Sequence, residues 1–259
     1  MKKQLLDLYK KIYLLGGSAS TRQTYLSDWE NSLRDPRKYY LEATRFFYSS
    51  LPPELREHRK YFTKELRGFG EDAFHVMWFL LYSKYHFNSF LEIGVYRGQT
   101  ISLLSLLAKR ENRELTTYGV SPFSSIGDSV SDYLGTVDYL TDTQKNFRNF
   151  SLKEPTLVKA YSTDDIAKET ISSRQWDCIY IDGSHDYEIV LKDWDLCSRH
   201  VPVGGLVVMD DASLHTDAEL PFFAFKGHDG PSKVADAVDR SNFREVLRMG
   251  HNRAFQRIK

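Results

Sequence analysis

Cysteine is scarce in this 259-residue chain: only Cys178 and Cys197 are present, one in an apolar strand-like run and one in a helical pattern, with no CxxC. That excludes a disulfide framework or a thiolate zinc site, and reads as two buried thiols in a reducing compartment. An excess of charge of either sign is also missing, with 35 basic and 35 acidic residues. Neither nucleic acid nor an anionic membrane is therefore expected as partner. Long hydrophobic runs are absent too. The most apolar window, Ala73 to Phe87, is too short and too polar to span a bilayer. The start, MKKQLLDLYKKIYLL, is interrupted by Asp7, Lys10 and Lys11 and carries no small-residue cleavage site, unlike a signal peptide. There are no repeats or low-complexity segments, so the expectation is a soluble, cytoplasmic protein long enough to bury a real core.

What is present divides at about residue 88. Before it the periodicity is helical, with a break at Gly16-Gly17-Ser18 and helix openings at Pro36 and at Pro52-Pro53. Residues 1–88 read as a helical cap. Its aromatic stretches, around Tyr39–Phe47 and Phe74–Phe87, offer more apolar surface than so short a bundle buries alone, which points to a cap over a cleft or a homodimer interface. From Ser89 on, short apolar runs (Ser89–Ile93, Leu115–Val120, Thr156–Ala160, Cys178–Asp182, Leu206–Asp210) alternate with amphipathic stretches (Thr100–Lys109, Val137–Phe150, Asp165–Ser172, Tyr187–Arg199). This alternation predicts an α/β, Rossmann-like, mostly parallel sheet with helices on both faces. A helix at Ser232–Arg240 and then Phe243–Met249 and Ala254–Ile258, joined through Gly250-His251-Asn252, predict a closing hairpin with one antiparallel strand.

Two features carry chemistry. Leu91-Glu92-Ile93-Gly94-Val95-Tyr96-Arg97-Gly98-Gln99-Thr100 reads as strand, glycine turn and helix start. Gly94 lets the chain turn with nothing in a ligand's way, Gly98 lets the helix approach, and the helix N-terminus offers free N–H groups to an anion. A tight strand-to-helix connection without a ligand uses the same glycines. The second feature is a pair of strand ends: Cys178-Ile179-Tyr180-Ile181-Asp182 and Leu206-Val207-Val208-Met209-Asp210-Asp211. If the strands are neighbours, Asp182, Asp210 and Asp211 converge, and such carboxylates repel unless a proton or cation intervenes. All-oxygen ligation suits Mg²⁺ or another hard divalent ion. The plainer reading is three aspartates capping loops and helices.

The ExGxYxGxT pattern, together with Ile181-Asp182-Gly183-Ser184-His185-Asp186-Tyr187-Glu188 and Pro202-Val203-Gly204-Gly205, resembles the class I S-adenosylmethionine-dependent methyltransferases. The metal-dependent O-methyltransferases of the catechol type, and the bacterial enzymes that methylate sugars on antibiotics, are the nearest in pattern. The resemblance covers about two thirds of the chain, residues 89–259, and implies a seven-stranded sheet. It implies Gly94, Tyr96 and Thr100 beside the methionine part of the cofactor with Glu92 supporting the loop, and Ser162 and Thr163, in Leu157–Asp164, against the adenine. Ser162 can equally be a helix N-cap with Asp165 three residues on. It further implies a metal on Asp182, Asp210 and Asp211, and His185 as the base that deprotonates the acceptor. A loop histidine bonded to Asp182 or Asp186 is the alternative for His185, and His215 and His228 have no ligand spacing. The chain departs from the pattern at the end of the second strand, where Ser121 stands in place of the acid that grips the ribose. Pro122–Thr136 reads as a flap, and Pro221-Phe222-Phe223-Ala224-Phe225 as acceptor-pocket lining or core. The function expected is Mg²⁺-dependent O-methylation of a small-molecule diol. An NADP-dependent oxidoreductase and a non-catalytic ligand binder are the rivals.

Overall fold

The computed structural model describes residues 19–131 and 133–259; the expected break at Gly16-Gly17-Ser18 lies outside them. Helices α1 (Ala19–Ser27), α2 (Glu30–Arg34), α3 (Pro36–Ser49), α4 (Pro53–Thr63) and α5 (Asp72–Tyr85) precede the sheet. Pro36 sits in the first turn of α3, where no N–H partner is needed, and the Asp35 carboxylate accepts from Lys38 N at 3.0 Å. The buried face of α3 (Tyr39, Tyr40, Ala43, Phe46, Phe47) repeats at helical spacing and packs on α5. Almost all of the first two turns of α5 are buried, because it is wedged between α3 and the sheet. Trp78 meets Phe90 and Tyr180 edge-on, with ring centroids 5.7 and 5.0 Å apart.

The remaining elements are β1 (Ser89–Ile93), α6 (Gln99–Arg110), β2 (Thr116–Ser121), α7 (Tyr139–Asn149), β3 (Thr156–Lys159), α8 (Asp165–Ser172), β4 (Cys178–Ile181), α9 (Tyr187–Arg199), β5 (Leu206–Met209), α10 (Asp229–Asp236), β6 (Phe243–Met249) and β7 (Asn252–Arg257). The strands form one seven-stranded sheet in the order β3-β2-β1-β4-β5-β7-β6, and β7 runs antiparallel to both of its neighbours. Alternate residues serve opposite faces. Phe90, Cys178, Tyr180, Leu206, Val208 and Met249 share a core with the N-terminal helices and α6. Leu91, Ile93, Ile179, Ile181, Val207 and Phe255 share another with α8, α9 and α10. Truncating Phe90, which is fully buried, costs about 3–5 kcal/mol.

Several boundaries differ from the sequence reading, and two of them flank the cleft. The helix expected at Ser232–Arg240 starts at Asp229, because Pro231 is tolerated in a first turn, and ends by Asp236. Asp239 then breaks the pattern by accepting from Ser241 N and Asn242 Nδ2. The last strand starts at Asn252, so the hairpin turn is Gly250-His251 alone, with Gly250 at φ +60°. Cys178 and Cys197 are free and buried. Among the described residues no helix is long and apolar enough to cross a membrane.

Candidate active site

The strand order makes β1, β4 and β5 adjacent, so their carboxyl ends open on one cleft. Glu92, buried in β1, accepts from Ile101 N at 3.0 Å and fixes the glycine turn to the first turn of α6. Burial holds Glu92 largely protonated, with its pKa pushed up to about 8. Gly94 has φ +98°, and a Cβ there would stand 1.9 Å from the Asp182 carbonyl oxygen. Its smallness thus serves the backbone of the neighbouring strand end, in addition to the sharp turn and the ligand clearance read from the sequence. Gly98, at φ +79°, would place a Cβ 2.7 Å from Thr143 of α7.

Two cavities open over this turn. One, of about 300 Å³, is lined by Gly94, Tyr96, Ser121, Tyr133, Ser162, Thr163 and Asp182 among others. The second, of about 460 Å³, is lined by Gly94, Tyr96, Thr100, Tyr133, Asp182, His185, Asp210 and Asp211, with Glu71, Phe74 and Trp78 from the N-terminal region. Gly94, Tyr96, Tyr133 and Asp182 belong to both walls. The buried Ser121 hydroxyl also accepts from Phe123 N at 3.4 Å, which shapes the turn into the loop 122–136. Ser162 is not the N-cap of α8. That position is held by Asp164, and the Ser162 hydroxyl instead bonds the buried Asp193 of α9. Burial pushes the Asp193 carboxyl up to about 6, against the Ser162 bond.

The three aspartates do not form a simple triad. Asp182 and Asp210 are hydrogen-bonded to each other, which requires a proton between them. Burial and the Asp210 charge raise Asp182 well above the ordinary carboxylate range. Burial would raise Asp210 as well, but the His251 imidazole and donors from Asp182 and Tyr180 hold it down. Asp211 adopts φ +52°, and its carboxylate meets three histidines. His185 Nε2 lies 2.8 Å from Oδ2, His228 Nε2 3.8 Å from Oδ2, and His251 Nε2 3.7 Å from Oδ1. His251 Nε2 is also 3.2 Å from Asp210 Oδ1, an atom that is buried without an aligned hydrogen-bond donor.

His185 bonds neither Asp182 nor Asp186. Its N–H and its Nδ1 both reach Asp128 Oδ2 at 2.7 Å, and Ser131 Oγ stands 3.1 Å from Nδ1. Burial opposes charge on His185, yet Asp211 and Asp128 together raise its pKa above the usual imidazole value. Burial likewise opposes charge on His251, but Asp210 and Asp211 raise it to about 9. The segment Pro221–Phe225 divides. Phe223 packs on Tyr40 at 6.1 Å, whereas Phe225 lines the larger cavity beside His228 and His251.

His251, Asp128 and Asp193 are residues that sequence reasoning missed, and His228 is one it set aside for want of ligand spacing. Spacing could not reveal them, since the loop before α10, the β6–β7 turn, the 122–136 loop and α9 meet only through the sheet order. His251 had one available signal: it occupies a hairpin turn beside the strand that ends in two aspartates.

A family profile described as a methyltransferase domain matches residues 91–212. An uncharacterized protein of Acanthamoeba polyphaga mimivirus is 26% identical over 125 residues, 48% of this chain and 51% of the relative, so the chain matches about half the length of that curated relative. A putative caffeoyl-CoA O-methyltransferase from Staphylococcus aureus superposes with a TM-score of 0.58 at 10% identity, covering 80% of this chain and 93% of that one. An O-methyltransferase from Bacillus cereus in complex with S-adenosylhomocysteine gives 0.55 at 10% identity, over 83% and 95%. The S-adenosylmethionine complex of TomG from Streptomyces achromogenes, an O-methyltransferase of tomaymycin synthesis, gives 0.54 at 12%, over 86% and 99%. The strand order, the glycine turn and the match over residues 91–212 agree: the chain carries the class I S-adenosylmethionine-dependent methyltransferase fold and resembles the caffeoyl-CoA and catechol-type O-methyltransferases.

Proposed function

We propose that this chain transfers the methyl group of S-adenosylmethionine to a hydroxyl of a small molecule, with a divalent cation held at Asp182, Asp210 and Asp211. The observation that carries the reading is the junction of two cavities at Gly94, Tyr96, Tyr133 and Asp182, with paired carboxylates and His185 in the wall of the larger. The smaller cavity suits adenosine, with Ser121 toward the ribose and Ser162 and Thr163 toward the base. Gly94, Tyr96, Gly98 and Thr100 suit the methionine portion, which brings the sulfonium to the junction.

The donor set fits a cation on two counts. Asp182 and Asp210 stay together only by sharing a proton, and Asp210 Oδ1 is buried without an aligned donor. A bound Mg²⁺ or similar ion would supply orientation of two neighbouring acceptor oxygens and a lower hydroxyl pKa. The chain's own groups do the rest. Asp128 holds Nδ1 of His185, and Nε2, paired with Asp211 Oδ2 at 2.8 Å in the metal-free protein, would receive the hydroxyl proton once a bound cation draws the Asp211 carboxylate away. S-adenosylmethionine would supply the methyl group, its S–CH₃ bond exchanged for the new O–CH₃ bond with S-adenosylhomocysteine as the leaving product. Phe74, Trp78 and Phe225 give the acceptor an apolar wall, suited to a sugar ring, a glycosylated natural product or a catechol-like diol. The helices between residues 19 and 88 act in this reading as a cap over the acceptor side, with their outer surface available for a homodimer. The free, buried thiols suit a cytoplasmic setting.

Calorimetry with S-adenosylhomocysteine and with NADP, followed by methyl transfer in chelator and with Mg²⁺ or Mn²⁺ restored, tests the proposal. Tight binding of the first ligand alone and ion-dependent transfer are expected. Binding of NADP instead would overturn it. His185→Ala should leave cofactor binding intact and slow transfer by about 10²–10⁴-fold; an unchanged rate would remove His185 from the mechanism.

A further inference from the structure

The cation site invoked above was read as three carboxylates, yet the carboxylate pair at the end of β5 faces nitrogen as well as oxygen. We infer that His251 is a metal ligand, so that the centre is a mixed imidazole–carboxylate site that takes a borderline transition ion, Mn²⁺, Fe²⁺, Co²⁺ or Zn²⁺, in preference to Mg²⁺. This rests on the methyltransferase reading for its location and on the geometry of Asp210, Asp211 and His251 for its chemistry.

One donor atom from each of these three residues lies within 4.8 Å of the other two. His251 Nε2 stands 3.2 Å from Asp210 Oδ1 and 3.7 Å from Asp211 Oδ1. Donors bound side by side to one ion at about 2.1 Å stand about 3.0 Å apart at a right angle and about 3.4 Å apart at a tetrahedral angle. The His251–Asp210 separation already falls in that range and the His251–Asp211 separation lies a few tenths of an ångström beyond it, so a side-chain adjustment brings the imidazole and each carboxylate to bonding positions. The imidazole is held from two sides: the Phe74 ring meets it edge-on at 4.6 Å and Phe225 at 5.6 Å. Its Nδ1 lies 3.4 Å from the Phe225 carbonyl oxygen, the outer contact that fixes a ligand histidine's tautomer. The position is set by the two-residue turn Gly250-His251, so the ligand comes from the strand adjacent to the one that supplies both carboxylates.

A second group, His185, Asp211 and His228, also has donors within 4.8 Å of one another. It is the poorer candidate, because ligation there would occupy the Nε2 of His185 that the proposed base needs. Choosing Asp210, Asp211 and His251 leaves that nitrogen without a metal bond, its partner in the metal-free protein being Asp211 Oδ2 at 2.8 Å. Asp182, bonded to Asp210, completes the oxygen side. Imidazole nitrogen favours the later divalent ions, whereas Mg²⁺ demands near-ideal oxygen octahedra and sheds water reluctantly.

The test uses metal-free full-length protein titrated with Mn²⁺ and with Mg²⁺, and pulsed electron paramagnetic resonance of the Mn²⁺ form. Binding of Mn²⁺ at least about tenfold tighter than Mg²⁺ is expected, with nitrogen modulation from one imidazole. That modulation should vanish in His251→Gln and persist in His185→Ala and His228→Gln. S-adenosylhomocysteine binding and the melting curve verify that each variant is folded. Should His251→Gln fail to fold, the wild-type spectrum decides alone. Mn²⁺ bound without nitrogen modulation, modulation that survives in folded His251→Gln, or no binding of either ion overturns the inference. If S-adenosylhomocysteine binds and methyl transfer proceeds while any of these holds, the methyltransferase reading stands and only the metal assignment falls.

Discussion

Two clusters of histidines lie on the N-terminal side of the sheet and in the cleft, and the first pair is opposite in state to His185 and His251 of the second, while burial lowers His228. His58 and His75, from α4 and α5, are buried with His58 Nδ1 3.0 Å from His75 Nε2 and His58 Nε2 2.9 Å from Ser102 Oγ. Burial drives His58 down to about 3, and burial together with His58 drives His75 well below the usual value. In the cleft His251 is almost as deeply enclosed, yet its pKa is raised to about 9. Burial pushes both clusters toward neutrality, and only carboxylate partners reverse it. The neutral pair joins helices α4 and α5 to α6, the helix behind the cofactor turn, and His75 reaches the wall of the same cavity that His185 and His251 line. Partner identity, more than burial, separates a packing histidine from one available for chemistry.

The largest expected effect breaks the cleft alone. Asp210→Asn removes the anion that His251 and Asp182 share, and methyl transfer should fall by about a thousandfold, with S-adenosylhomocysteine affinity and melting temperature nearly kept. Unimpaired turnover would reduce the cleft cluster to the same structural status as the other. His58→Ala should do the reverse. It leaves a cavity and strips a partner from His75 and Ser102, costing about 3 kcal/mol of stability in denaturant titration, while kcat per folded molecule stays the same. Lost turnover in a fully folded variant would mean that the two clusters are one functional unit.

Asp193 sharpens the comparison from the acid side, being a carboxyl buried with a hydroxyl in place of a cation. Its folded pKa of about 6 lies above the ordinary 3.8. The stabilisation it gives is therefore complete below about pH 4 and is lost as pH rises through about 6, a loss of about 2–3 kcal/mol. Asp193→Asn should cancel that loss, so the variant's melting temperature gains on the parent between pH 4 and 7. Parallel melting profiles for the two proteins would contradict it. The smallest effect is expected of Ser121→Asp, which places an acid beside the ribose site and should tighten cofactor binding by about 1 kcal/mol, read by calorimetry. A loss of affinity would place the ribose elsewhere.

Much of the sheet was legible because period-two apolar runs and glycine turns are local signals. Ser89–Ile93, Phe243–Met249, Asp165–Ser172 and Tyr187–Arg199 have the bounds read from sequence. The neighbouring strand ends of Asp182 and Asp210 followed from the same pattern. The start of α10 was not legible, since a proline in a first turn looks like a breaker until the helix before it is known. Ser162 was misjudged as a cap candidate because Ser and Asp cap equally well and Asp164 stood two residues on. His228 was set aside and His251 overlooked for a different reason. Their proximity to Asp211 is a property of the strand order, and no window of sequence contains it.

In an extended strand, consecutive side chains point to opposite faces, so Asp210 and Asp211 ought to be separated by the thickness of the sheet. They both approach His251 because Asp211 adopts a left-handed conformation at φ +52°, the backbone there folding against Gly227, where a Cβ would stand 2.1 Å from the Asp211 carbonyl oxygen. A non-glycine residue in that region carries about 1–2 kcal/mol of steric cost. The cost is met once, when the chain folds, and it puts the carboxylates on one side of the cleft before any ligand arrives. Parity along β5 is broken at a single peptide, and the cleft is preorganised by that break.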